Sequence, residues 1–272
     1  MSYISIRVRC DPQLTDYFIT ALFELKFDSF EELSDGFRGS CEAQDFQQKN
    51  IDEIFAPFEG VHLEIKEEPK VNWNKEWEKN YDPIVIDDRC IVRATFHSPA
   101  PQYKYEIIVT PKMSFGTGHH ATTALVLSYQ MYLDHRHKRV LDVGTGTGIL
   151  SIMAAKRGAS AIVATDIDEW CIENSEENFS LNGVEKYQLF RTEIEELSDS
   201  EFDIIIANIN KNVLLEQIRS YAFKLKPGGS LVLSGFYLQD VPELIAEGKK
   251  VSLWKKWEAV KDNWAMLVLS TS

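Results

Sequence analysis

The stretch Val140-Leu141-Asp142-Val143-Gly144-Thr145-Gly146-Thr147-Gly148-Ile149-Leu150 carries more structural information than any other part of the chain. Four residues of strand character run into three glycines at alternate positions, and apolar residues resume at Ile149 as they would in a helix. Glycines at a strand-to-helix junction let the backbone turn tightly and approach a ligand with no Cβ in the way. The spacing disfavours a dinucleotide. A pyrophosphate loop calls for Gly-x-Gly-x-x-Gly, whereas here the third glycine is Gly148 and position 149 is Ile.

Two further strand ends agree with this loop. Ala161-Ile162-Val163-Ala164-Thr165-Asp166 ends in an acidic residue 22 positions after Gly144. A carboxylate at the tip of a second strand accepts two hydrogen bonds from ribose hydroxyls, a charge-assisted geometry, and Asp166 is the residue for that role. Asp168, just beyond it, is better read as the cap of the following helix. Phe202-Asp203-Ile204-Ile205-Ile206-Ala207-Asn208 is an apolar strand ending in Asn208. Ligands of open α/β sheets bind beyond the carboxyl ends of the strands, so Gly144, Asp166 and Asn208 are expected to converge on one crevice.

Candidate strands at 140–143, 161–165, 188–190, 204–207 and 231–234 alternate with helical patterns, which argues for a doubly wound α/β domain with a parallel sheet covered on both faces. Short strands at 84–86, 91–94 and 107–109 come before it. The tail, 251–260 and 264–269 around Asp262-Asn263, reads as a closing antiparallel hairpin.

Upstream, residues 3–9 alternate as a half-buried strand. Asp11-Pro12 then opens a helix with the apolar stripe Leu14, Phe18, Ala21, Leu22 and Leu25. Strands at 29–33 and 37–43, a helix over 45–55 and a strand at 61–65 complete a β-α-β-β-α-β order, the ferredoxin-like α+β unit. Three parts follow: an N-terminal recognition domain, 1–66; a linker with a helix, 67–82; and a catalytic domain, 83–272. Trp73 and Trp77 lie four apart in that linker, where packing against a neighbour is the favoured reading over lining a groove.

At 272 residues, 44% hydrophobic and 26% charged, the chain has the composition of a soluble globular protein of two domains. It has no apolar run of roughly 18 residues and no signal-peptide pattern, so no membrane association and a cytoplasmic address are expected. Four scattered cysteines, Cys10, Cys41, Cys90 and Cys171, indicate neither a disulfide framework nor a metal site. The net charge of −13, from 29 basic and 42 acidic residues, opposes nucleic-acid binding. It suits a basic protein partner, or simply solubility.

The apolar-Asp-x-Gly-x-Gly-x-Gly pattern resembles motif I of the Rossmann-like methyltransferases. Together with Ser114-Phe115-Gly116-Thr117-Gly118-His119-His120-Ala121-Thr122-Thr123, Asp166-Ile167-Asp168 and Asn208-Ile209, it is similar over nearly the whole chain to the bacterial family that methylates ribosomal protein L11. The chain departs from the family at Thr110-Pro111-Lys112, where Asp-Pro-Gly is usual, and at Ala121, where proline is common. The resemblance implies S-adenosylmethionine as cofactor and transfer to lysine side-chain and N-terminal amines of ribosomal protein L11, with the small domain gripping the substrate. It implies cofactor contacts from Thr123, Gly144, Gly146, Asp166 and Asn208 and closure of the Phe115 loop; separately, a monomer is expected. Asn208 is also the candidate catalytic residue, at the position where Asn-Pro-Pro-Tyr methyltransferases orient an amine. Here the run is Asn208-Ile209-Asn210-Lys211, a partial kinship. His119 and His120 are weighed as bases, with loop structure the favoured reading. The rival functions are methylation of RNA or of another protein, and binding of the cofactor without transfer.

Overall fold

The computed structural model describes residues 2–69, 81–112 and 114–271. Trp73 and Trp77 lie outside the described residues. The chain divides into two units, Met1–Tyr81 and Asp82–Ser272.

In the first unit, β1 (Ser2–Arg9) turns Ile4, Ile6 and Val8 into a core and leaves its other face partly open, as period-2 alternation requires. Asp11 accepts a hydrogen bond from the Gln13 amide at 2.9 Å and caps a 3-10 turn, Pro12–Leu14, which leads into α1 (Thr15–Glu24). The helix buries Phe18 and Leu22 on that core. Strands β2 (Ser29–Leu33) and β3 (Gly36–Glu42), helix α2 (Gln48–Phe55) and β4 (His62–Pro69) complete an antiparallel sheet of order β2-β3-β1-β4. That is the ferredoxin-like order.

Two boundaries differ from those expected. The helix expected from 45 begins at Gln48, because the Asp45 amide donates to Glu42 O at 2.9 Å and its carboxylate meets Lys26 at 2.7 Å, holding a turn there. The last strand, expected to end near 66, continues to Pro69 because β1 pairs with it along its whole length, Ser2 opposite Pro69. It thereby takes three residues of the expected 67–82 linker into the sheet.

The second unit begins with a small sheet, β5 (Ile84–Ile86), β6 (Cys90–Ala94) and β7 (Tyr105–Val109). Then come α3 (Ala121–Gln130), β8 (Arg139–Val143), α4 (Ile149–Lys156), β9 (Ala161–Asp166), α5 (Glu169–Leu181), β10 (Tyr187–Arg191), β11 (Phe202–Asn208), α6 (Lys211–Lys224), β12 (Leu225–Tyr237), α7 (Val241–Lys250), β13 (Leu253–Lys261) and β14 (Trp264–Thr271). The sheet order is β10-β9-β8-β11-β12-β14-β13, parallel through β12 and antiparallel across the last two strands. Asp262 and Asn263 both take left-handed backbone, φ 50° and 65°, which matches the twist of a tight hairpin between β13 and β14.

Two apolar cores cover the two faces of this sheet, with Val140, Ile152 and Ile204 in one and Leu141, Ile205 and Leu214 in the other. The doubly wound α/β expectation is met. The chain leaves β8 first toward β9 and β10 and then returns to β11 on the other flank, so the strand order reverses beside β8 and opens a crevice at the carboxyl ends. No described helix is long and apolar enough to cross a membrane.

Candidate functional site

The glycine loop is built by local sterics. Gly144, Gly146 and Gly148 all lie at positive φ, 70°, 57° and 78°. A Cβ on Gly146 would stand 2.3 Å from the Phe115 carbonyl oxygen, which no side chain tolerates. That carbonyl accepts the Thr147 amide at 3.0 Å, and the Thr147 hydroxyl donates to Gly116 O at 2.6 Å, so the Phe115 segment is tied directly to the loop.

Beneath the loop, Asp142 is fully buried. Its Oδ2 accepts the hydroxyls of Thr145 at 2.9 Å and Ser151 at 2.8 Å, while Oδ1 has no partner. Burial pushes its pKa up to about 6, against the opposing pull of those hydroxyls.

Helix α5 holds the loop from the side. Ser175 donates to Gly146 O at 2.9 Å and Asn178 to Thr147 O at 2.8 Å, and Asn178 Oδ1 also accepts the Thr110 amide at 2.8 Å. One helix turn on, the Asn182 side chain bonds both the amide and the carbonyl of Ile108, at 3.0 and 2.6 Å. Asn174, Asn178 and Asn182 are spaced four apart and form a polar face aimed at backbone, which apolar periodicity does not mark.

At the tip of β9, Asp166 accepts the Gly146 amide at 3.0 Å on one oxygen and the Asp168 amide at 3.1 Å on the other. Each oxygen keeps further acceptor capacity, and the carboxylate is held in place for it. Asp168 caps α5 by accepting the Trp170 amide at 2.9 Å, the role expected of it. At the end of β11, Asn208 donates to the Thr123 hydroxyl at 3.3 Å, and its Oδ1 is buried with no partner. A buried carbonyl oxygen without a donor costs stability.

These groups open on one cavity of about 640 Å³, whose wall includes Phe115, Gly144, Gly146, Asp166, Asn208 and Trp264. The volume lies inside the range of roughly 300–1,000 Å³ typical of cofactor sites. Among the described residues, no group of acidic, His and Cys side chains has the arrangement of a metal site.

The family model for ribosomal protein L11 methyltransferase (PrmA) matches residues 14–272. The chain belongs to the ribosomal protein L11 methyltransferase family. Within that family, the protein named ribosomal protein L11 methyltransferase in Porphyromonas gingivalis is 42% identical over 258 residues, 93% of this chain and 89% of the relative. Its namesake in Phocaeicola vulgatus is 38% identical over 268 residues, 94% of this chain and 93% of the relative. A crystal structure of a ribosomal protein L11 methylase from Lactobacillus delbrueckii subsp. bulgaricus aligns with a TM-score of 0.66 at 29% identity, covering 71% of this chain and all of that one.

The Phe-Gly-Thr-Gly-His-His segment of this family member takes a definite place. Phe115 is 53% exposed at the cavity mouth. His120 caps α3, its Nδ1 meeting the Thr122 hydroxyl at 2.7 Å, and its ring stands edge-on between Phe115 at 5.3 Å and Trp264 at 4.6 Å. Ala121 occupies the first position of α3, where the family's proline is equally compatible with a helix. His119 pairs with the Thr117 hydroxyl at 3.1 Å and lies off the main cavity.

Thr122 and Thr123 are both fully buried; the Thr123 hydroxyl accepts from Asn208, and the Thr122 hydroxyl meets His120 Nδ1. The residue missed altogether is Trp264, at the start of β14. It packs against Tyr237 at 4.2 Å and His120, and nothing in its local sequence beyond the Asp262-Asn263 turn signals a place at the site. Of the cysteines, Cys171 reaches the cavity, and burial pushes its thiol pKa up to about 11, which keeps it protonated.

Proposed function

We propose that this protein transfers methyl groups from S-adenosylmethionine to amines of ribosomal protein L11, at lysine side chains and at the N-terminal amine. The observation that carries the reading is the convergence, on one cavity, of the glycine loop, Asp166 and Asn208. Family membership supplies the substrate: the relatives bear the name of that reaction.

The residues fit the cofactor. Gly144 and Gly146 present backbone with no side chain, Asp166 offers acceptors suited to ribose hydroxyls, and Phe115 is placed to close the mouth. When bound, S-adenosylmethionine supplies an electrophilic methyl group. The chain's own task is alignment of an amine for in-line attack and presentation of that amine neutral. A lysine, with a pKa near about 10.4, is almost wholly protonated at neutral pH, whereas an N-terminal amine near about 8 is partly neutral. Desolvation between Phe115, His120 and Trp264 lowers an amine's pKa. Asn208 Oδ1 accepts an N–H from the amine and turns its lone pair toward the methyl group. Thr123 acts through Asn208, whose side chain it holds.

The small N-terminal unit is proposed to hold the protein substrate, and the protein to act as a cytoplasmic monomer without direct nucleic-acid contact, consistent with the net charge of −13. The test is transfer of labelled methyl into unmethylated ribosomal proteins by the wild-type chain and by Asp166→Ala, read by mass spectrometry. Label on ribosomal protein L11 that vanishes in the variant is expected. Label on RNA or another protein would overturn the substrate, and cofactor binding without label anywhere would overturn the catalysis.

A further inference from the structure

The geometry points to Ile209 as a positioning residue that couples the glycine loop to Asn208. The inference rests on the methyl-transfer reading above and goes beyond it, because neither the motif pattern nor the chemistry gives Ile209 a task.

Ile209 lies immediately after Asn208 and is wedged between two glycines from different strand ends. On one side is Gly144, the first residue after β8. A Cβ there would meet Ile209 Cγ2 at 2.3 Å, so the branched methyl of Ile209 lies directly on the glycine's Cα. On the other side is Gly235 in β12, at φ 98°, where a Cβ would stand 2.2 Å from the Ile209 carbonyl oxygen and 2.9 Å from its nitrogen. The Ile209 amide donates to Ser234 O at 3.1 Å, which carries the β11–β12 ladder one residue past Asn208. Backbone contact with Gly235 fixes how deep this segment sits, and side-chain contact with Gly144 fixes it relative to the cofactor loop.

The Asn208 side chain itself is held by a single 3.3 Å hydrogen bond to Thr123, and its oxygen is free. One weak bond restrains rotation poorly, and displacement of a reacting group by about 1 Å costs on the order of 100-fold in rate. The Ile209 wedge restrains the backbone from which that side chain projects. A β-branched side chain is stiff at χ1, so Cγ2 transmits the position of Gly144 to the backbone that carries Asn208. Gly144 and Gly235 thus both meet Ile209, in addition to the positive φ, 70° and 98°, that favours glycine at each.

The test uses the full chain with three variants and two readouts: turnover on ribosomal protein L11, and calorimetric binding of S-adenosylhomocysteine. Ile209→Ala removes Cγ2 and should lower kcat about 10- to 100-fold, by a larger factor than it weakens S-adenosylhomocysteine binding, because Ile209 also lines the cavity. Ile209→Val keeps Cγ2 and should restore turnover. Gly144→Ala should weaken S-adenosylhomocysteine binding far more with Ile209 present than in the Ile209→Ala background, because the collision is relieved there.

The inference is overturned if Ile209→Ala turns over normally, if Ile209→Val is as impaired as Ile209→Ala, or if the Gly144→Ala defect is the same in both backgrounds. Because the cycle reads binding, it judges the wedge even for a chain that transfers no methyl group. A wild-type chain that binds S-adenosylhomocysteine but methylates nothing defeats the catalytic reading instead.

Discussion

Replacing Asn208 by alanine tests the chemistry most directly, because its two effects separate. In the resting protein the substitution deletes a 3.3 Å hydrogen bond to Thr123 and also deletes a buried oxygen that has no donor. A neutral hydrogen bond contributes about 0.5–1.5 kcal/mol, and an unsatisfied buried acceptor costs about 1–3 kcal/mol, so the two nearly offset and the unfolding free energy should change little. On the proposed mechanism the same oxygen faces an amine that becomes cationic. A hydrogen bond to a charged group is worth about 1.5–3 kcal/mol, and each 1.36 kcal/mol is tenfold in rate, which gives a fall in kcat of about 10- to 150-fold. The assay is steady-state methylation with both substrates saturating, beside a thermal melt and calorimetric titration with S-adenosylhomocysteine. Unchanged kcat at saturation would refute the orienting role, and a cofactor affinity that falls in proportion to kcat would reassign Asn208 to binding alone.

Gly146→Ala should lose S-adenosylhomocysteine binding beyond detection in the same titration, because its Cβ would lie 2.3 Å from a backbone oxygen that cannot move aside. Phe115→Ala should weaken that binding about 5- to 30-fold with no change in melting temperature, since an aromatic ring that is 53% exposed at rest gains most of its burial on closure. Asp142→Asn keeps an oxygen for Thr145 and Ser151 but removes the charge. The folded pKa of Asp142 is raised to about 6 from an ordinary 3.8, so the native state favours its protonated form; this stabilisation is complete below the unfolded value and is lost as pH rises through about 6. Relative to wild type, the variant should therefore gain stability at neutral pH, and the difference should shrink as pH falls from 6 to 4 in chemical-denaturation curves; a pH-independent difference would contradict the assignment.

The parts of this molecule legible in its sequence are those written over short distances. Strand alternation at 3–9, the cap at Asp168, the Asp262-Asn263 turn and the three-glycine loop are each decided by neighbours within a few residues, and the structure forms them where local chemistry places them. The convergence of Gly144, Asp166 and Asn208 was legible for a different reason: a parallel sheet brings every strand's carboxyl end to one edge, whatever the intervening sequence. What escaped depends on pairs far apart in the chain. The asparagine face of α5 bonds Ile108 and Thr110, more than sixty residues earlier. Ile209 needs glycines at 144 and 235, and Trp264 meets His120 only because β14 pairs back onto β12. Thr123 likewise meets its partner, Asn208, 85 residues further along the chain.

That Trp264 stands on β14 has a consequence for how the protein is made. Synthesis is vectorial, and domains fold as they leave the ribosome. The N-terminal unit closes its sheet with β4 and so can form early, whereas β12 waits for β14 as its antiparallel neighbour and the cavity waits for Trp264 to cover His120. The site is thus complete only once β14 has paired with β12 and set Trp264 against His120.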